Sequence, residues 1–289
     1  MSAWVSAHLF CAERQNALLL EGVAPLVTEL RGGGALERWF FIRHLDEGPH
    51  VRLRLRAHDG AAVARRAIEA LRPWCEAIDL RAYEPEVARY GGALGIEIAE
   101  EHFQDSSEVA LAVLEERGDA NKVRGAALQL MLAAAAIFAA GDELRDEFLL
   151  RYARGAIRAH GGDEAVLRES EARLDAEAAR NADAVAPVAV RIAEAIDARH
   201  ELDGATLARW CAALRRLRAR LEAADAAGDL DIGPTFDARW SAAAPPAVLR
   251  LLVLLPSFVH MMNNRLAVAP VVEAQLARFL LAAREVARA

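Results

Sequence analysis

The chain has 289 residues, 54% of them hydrophobic and 27% charged, with a formal net charge of -7 at pH 7. That length can bury a sizeable core, and the composition is too apolar for a disordered chain. The negative balance repels polyphosphate, which argues against direct nucleic-acid binding.

In chain order, 3-AWVSAHLF-10 is rich in aromatic and β-branched residues and predicts a strand. Apolar residues then recur at helical spacing over 12–30, and 31-RGGG-34 stops that helix. Two strands follow, 38-RWFFIRHL-45 and 50-HVRLRLRAH-58, joined at the turn 46-DEGP-49. In the second strand Val51, Leu53 and Leu55 share one face, and His50, Arg52, Arg54 and Arg56 share the other. An amphipathic helix over 60–74 stops near Pro73, and 78-IDLRAYEP-85 predicts a fourth strand. This β-α-β-β-α-β order is that of a split unit, an antiparallel sheet with helices on one face.

After 89-RYGG-92 the pattern turns helical, over segments near 94–116, 121–141, 143–160, 164–198, 204–226, 246–267 and 269–288. A long loop is expected at 228–247, where Gly, Asp and Pro cluster. The fold class is therefore α+β, with a sheet-bearing part at 1–92 followed by a mostly helical part at 93–289. The apolar run 251-LLVLLPSFVHMM-262 is shorter than the ~20 residues that cross a bilayer. It is interrupted by Pro256 and His260, and reads as a buried core helix with no membrane role.

Several chemistries are excluded by residue type. Lys122 is the one lysine among 35 basic residues, and it stands in a polar stretch, 117-RGDANKVRG-125. Schiff-base chemistry on pyridoxal phosphate lacks a fitting residue, and no cofactor is expected. Cys11, Cys75 and Cys211 have no paired spacing, which suits a reducing compartment and core packing, and excludes a thiolate zinc cluster. No GxSxG, GxGxxG, phosphate-loop, HExxH or CxxC motif occurs. The opening residues lack the basic and apolar regions of a signal peptide, so a cytoplasmic location is expected.

Three places could carry chemistry. The His50, Arg52, Arg54 and Arg56 face is either a solvated outer face or an anion clamp, since guanidinium groups grip planar anions bidentately. In 83-YEPEVARYGG-92, Arg89 and Tyr90 precede two glycines, at a sharp turn that either builds a site or merely exposes an arginine. In 257-SFVHMMNNRL-266, His260 and Asn264 share a helix face and Arg265 follows. Such polarity on an apolar helix needs partners, in a core or in a site. These residues suit a metal-free site for a carboxylate-bearing substrate.

Three stretches, 39-WFFIRHLDEGPHVRLRL-55, 82-AYEPEVARYGG-92 with 97-EIAEEHFQDSS-107, and 257-SFVHMMNNRL-266, resemble the C-terminal glutamate-elimination domain of class I lanthipeptide dehydratases, also called the thiopeptide-type bacteriocin biosynthesis domain. Together with the first strand, the resemblance spans nearly the whole chain. It implies a lyase that expels glutamate from glutamylated Ser or Thr of a ribosomal precursor peptide, leaving dehydroalanine or dehydrobutyrine. It places the family's catalytic residues on Arg54, Arg89 and His260. The arginines would bind glutamate and stabilise its departure, and the histidine would do acid/base work. His50, Arg52, Tyr90, Asn264 and Arg265 are further substrate-binding candidates.

The implied partners are the precursor's leader and core and a separate tRNA-dependent glutamylating protein, because the large glutamylation region is not in this sequence. A homodimer is compatible with this reading. Two alternatives share the fold. One is a pyridine synthase joining two dehydroalanines by a formal [4+2] cycloaddition with loss of the leader. The other is a non-catalytic homologue that binds the leader as an added strand on an open sheet edge.

Overall fold

In the computed structural model the described residues are 2–159, 164–200, 202–232 and 244–289. The expected loop at 228–247 falls largely outside them. Four strands, β1 (Ala3–Phe10), β2 (Arg38–His44), β3 (His50–Ala57) and β4 (Ala77–Arg81), form one sheet in the order β2-β3-β1-β4. All three pairings are antiparallel. The fourth strand stops at Arg81, short of the expected end at Pro85, and residues 82–86 carry no strand pairing.

The first crossover is α-helical at α1 (Gln15–Ala17), π-helical over Leu18–Val23, and α-helical again at α2 (Ala24–Gly32). The second is α3 (Gly60–Leu71), whose N-cap Asp59 accepts from the Ala62 amide at 2.9 Å. Val5, Ala7 and Leu9 of β1 and Val51, Leu53 and Leu55 of β3 point to one face and are buried with Leu18, Leu19, Val63 and Leu71. This is the period-two burial that the sequence encodes.

Seven further α-helices follow among the described residues: α4 (Gly92–Arg117), α5 (Ala120–Phe138), α6 (Asp142–Arg158), α7 (Glu164–Asp197), α8 (Ala205–Ala227), α9 (Pro246–Arg265) and α10 (Pro270–Arg288). Their Ala- and Leu-rich faces join the sheet in one core cluster running from Val5 to Ala283. Buried Arg145 pairs with Asp197, and Arg278 bridges α10 to Glu171 and Asp175 of α7 at 2.6 and 2.9 Å.

The helix α9 departs from expectation. It has 20 residues at a mean hydropathy of 1.4, enough to cross a bilayer by length and composition, because it extends beyond the apolar run at both ends. Leu251, Leu252, Leu254, Leu255, Phe258, Val259 and Met262 of this helix are nevertheless buried in the core.

The outer edge of β2 is closed by side chains. Gln104 and Ser107 of α4 accept from the amides of Trp39 and Phe41, each at 3.2 Å. Asn264 of α9 accepts from the Arg43 amide at 2.8 Å and donates to the Arg43 carbonyl at 2.9 Å. Strand pairing with another peptide is thereby blocked on that edge. The fourth strand, at the opposite edge, has no such cover among the described residues, and Leu80 is exposed.

Candidate functional site

A cavity of about 390 Å³ opens between α6, α9, the start of α10 and the 3-10 turn Val87–Tyr90. On α6 a single stripe faces it: Phe148, Arg151, Tyr152, Gly155, Ala156 and Ala159. On α9 the facing residues include Leu252, Pro256, Ser257 and His260. Pro256 lies inside the helix and supplies no amide hydrogen. Arg89 reaches the cavity from the turn, and Pro270 and Glu273 from α10. Arg89 and His260, far apart in the sequence, thus line one cavity.

The imidazole has a fixed partner. His260 Nδ1 lies 2.9 Å from Glu273 Oε1, and that carboxylate is 1% exposed. The other carboxylate oxygen accepts from the Tyr152 hydroxyl, which in turn accepts from Asn263 Nδ2 at 3.4 Å. Burial and the neighbouring carboxylate push the Tyr152 phenol well above its ordinary value, so it stays a neutral donor. Glu273 sits in the first turn of α10, at the positive end of the helix dipole. A carboxylate on Nδ1 directs the Nε2 nitrogen to the opposite side of the ring and fixes the tautomer.

Arg89 is held from two sides. Its Nε donates to Ser257 Oγ at 3.1 Å, and Nη1 donates to Glu86 at 3.0 Å. The turn that presents it depends on glycine. Gly91 and Gly92 have φ of 84° and 93°, and the Gly91 carbonyl accepts from the Asp231 amide at 2.9 Å. Tyr90 turns inward, buried against Phe103 and Phe258, with ring centroids 5.1 and 5.3 Å away.

Arg54 is not among the lining residues of this cavity; it stands on the arginine-bearing face of β3. That face is not the solvated outer face the alternation allowed, because His50 and Arg54 are buried and Arg52 and Arg56 are half-buried. The segment after β4 lies over it, with the Tyr83 ring 5.4 Å from the Arg54 guanidinium. The β2–β3 turn closes over it too, where Glu47 pairs with Arg81 at 2.8 Å. Arg54 Nη1 has no hydrogen-bond partner among the described residues, and burial lowers the guanidinium pKa to about 10. Arg52 Nε donates to His50 Nε2 at 3.1 Å, while His50 Nδ1 meets the Gly48 carbonyl at 2.9 Å. Burial first, then Arg54 and Arg52, lower His8 on the same face to about 4, which keeps it neutral at pH 7.

Asn264 and Arg265 lie away from the cavity. The amide of Asn264 clamps the β2 backbone as described, and Arg265 is fully buried. Its Nε donates to Ser107 Oγ at 3.1 Å and its Nη1 to the Met261 carbonyl at 2.9 Å, with the guanidinium 5.2 Å from the Phe103 ring. Burial lowers it to about 9. Sequence reading missed Arg151, Tyr152, Ser257 and Glu273. One local signal existed for the last: an acidic residue three positions after Pro270 marks a helix first turn.

Comparison with known proteins gives concordant relatives. The family model described as lantibiotic biosynthesis dehydratase C-term matches residues 4–284. Nisin biosynthesis protein NisB of Lactococcus lactis subsp. lactis is 31% identical over 115 residues, which are 37% of this chain and 11% of NisB. Among solved structures, the pyridine synthase TbtD from thiomuracin biosynthesis superposes with a TM-score of 0.74 at 18% identity, covering 96% of each chain. TsrL gives 0.73 at 18% identity, covering 99% of this chain and 96% of TsrL. The tRNA-dependent lantibiotic dehydratase MibB from Microbispora sp. 107891 gives 0.58 at 22% identity, covering 99% of this chain but only 28% of MibB.

Proposed function

This chain belongs to the lantibiotic biosynthesis dehydratase C-terminal family, and on that premise we propose that it eliminates glutamate from glutamylated Ser or Thr residues of a ribosomal precursor peptide. The carrying observation is that Arg89 and His260 line one cavity and that buried Glu273 holds the His260 ring. In the proposed step His260 Nε2 takes the α-proton of the esterified residue. The electron pair of that C–H bond becomes the Cα=Cβ double bond, and the Cβ–O bond breaks. Glutamate leaves with the bonding pair as a free carboxylate, and the proton stays on His260 until solvent takes it. General base catalysis of this kind contributes ~10²–10⁴-fold.

Arg89 meets the carboxylate that forms, where a fixed cation favours the transition state over the neutral ester. Arg54 remains in the proposal as a source of positive potential, since its Nη1 has no hydrogen-bond partner among the described residues. A separate tRNA-dependent protein supplies the glutamylated precursor, and the reaction is placed in the cytoplasm.

A second reading is favoured by a different observation. A large part of the wall, Phe148, Ala156, Leu252, Val253, Pro256 and Pro270, is apolar and suits an uncharged substrate such as a peptide bearing two dehydroalanines. A pyridine synthase would then release the leader. Paired incubations test the choice. Free glutamate released from a glutamylated peptide supports elimination, and leader released from a bis-dehydroalanine peptide supports the cyclase. Binding with neither product would make the protein a leader-binding homologue.

A further inference from the structure

The cavity holds a second guanidinium that the reaction as written leaves without a task. Arg151 stands on α6, one turn before Gly155 and beside Tyr152, and it lines the same wall as His260. Its Nη2 is steadied by Glu147, one turn back on the same helix, at 2.7 Å. The side chain is about a third exposed and lines the cavity. Arg89 likewise pairs with a nearby carboxylate, Glu86, and lines the cavity. The remaining lining is mostly apolar, so these two guanidiniums are its fixed positive charges among the described residues.

A glutamyl ester carries one free carboxylate throughout the reaction, and a second one forms only as the Cβ–O bond breaks. The two charges call for two cations with different kinetic signatures. Arg89 donates to Ser257, three residues before His260 on α9, so it sits beside the base. Arg151 enters from the other helix wall.

We propose that Arg151 binds the free carboxylate of the glutamyl group and makes this site selective for an acidic acyl group. The assignment rests on the elimination reading. It gives Arg151 a binding role equal in ground and transition states, so its loss raises KM more than it lowers kcat. Small residues at Gly155, Ala156 and Ala159 leave room beside it for the acyl chain, and a Cβ added at Gly155 would meet nothing within 4 Å.

The test is steady-state kinetics of the full chain on two precursor peptides, one with a glutamyl ester and one with a glutaminyl ester of the same size but no charge. Wild type is expected to favour the glutamyl ester about tenfold or more in KM, the scale of one charge-assisted hydrogen-bonding pair. R151A should raise KM for the glutamyl ester by a similar factor and treat both esters alike, and R151K should restore part of the preference. R151Q provides the same comparison if R151A does not fold. Variants that keep the wild-type preference, or a wild type that turns over both esters equally, overturn the assignment while elimination stands. A wild type inert toward both esters overturns the elimination reading and this assignment together.

Discussion

The His260 imidazole and the Glu273 carboxylate meet at 2.9 Å across the connection between α9 and α10, with the carboxylate 1% exposed. The contact joins a group at the cavity wall to one sealed behind it. Glu273→Gln keeps the shape but can no longer accept from both His260 and Tyr152 as a charged group. We expect kcat to fall by about 10²-fold with KM little changed, on the scale of acid/base contributions. Tyr152→Phe, which leaves the histidine contact in place, should cost less than about tenfold. A kcat for E273Q equal to wild type would separate the pair from catalysis.

The amide of Asn264 is bonded at both ends to the Arg43 backbone. Asn264→Ala leaves a half-buried donor and acceptor unpaired at the β2 edge, with an expected loss of about 2–4 kcal/mol in chemical denaturation. Asn264→Asp keeps the acceptor and loses the donor, so it should fall between. A loss below about 0.5 kcal/mol for N264A would show that the edge is not held this way.

Gly95 packs under the turn that carries Arg89. A Cβ there would overlap the Tyr90 carbonyl oxygen. Gly95→Ala must therefore push the 87–92 turn away from α4, and we expect at least about 2 kcal/mol of destabilisation together with loss of activity. Gly155→Ala, whose Cβ meets open space, is the control for thermal melting.

Burial lowers the pKa of His102 from 6.5 to about 3, and neither ring nitrogen has a hydrogen-bond partner among the described residues. A lowered histidine binds its proton less well folded than unfolded. It costs no stability above pH 6.5, and as pH falls from 6.5 toward 3 it costs about 1.4 kcal/mol per unit. Stability should fall on acidification through that window. His102→Phe, in a site already lined by Trp210 and Phe258, should flatten the slope by about one proton. An unchanged slope in urea titrations between pH 4 and 6.5 would contradict the burial.

What the sequence made legible was what periodicity and turn chemistry encode. The alternation of Val51, Leu53 and Leu55 foretold the buried sheet face, and the glycines after Tyr90 foretold a sharp turn, which the backbone makes with positive φ. The opposite face of β3 stays open in the sequence between a solvated face and an anion clamp, because alternation says that two faces differ and not what lies on each. Its cover comes from Tyr83, beyond β4, and from Glu47 in the turn before β3. The pairing of His260 with Glu273 was invisible for a similar reason. It depends on the tight reversal between α9 and α10, where Ala267 takes φ of 58° without being glycine. Asn264 and Arg265 signalled polarity that needs partners, but those partners lie on the β2 backbone and on Ser107 rather than in the cavity.

The central claim is that the Arg89 and His260 cavity expels glutamate. Its most direct test is the mass of a glutamylated precursor after incubation with the intact protein and with its H260A and R89A variants. Loss of glutamic acid is expected with wild type, and with both variants glutamylated peptide should persist, its elimination at least about 10²-fold slower. Dehydration by either variant at the wild-type rate would contradict it.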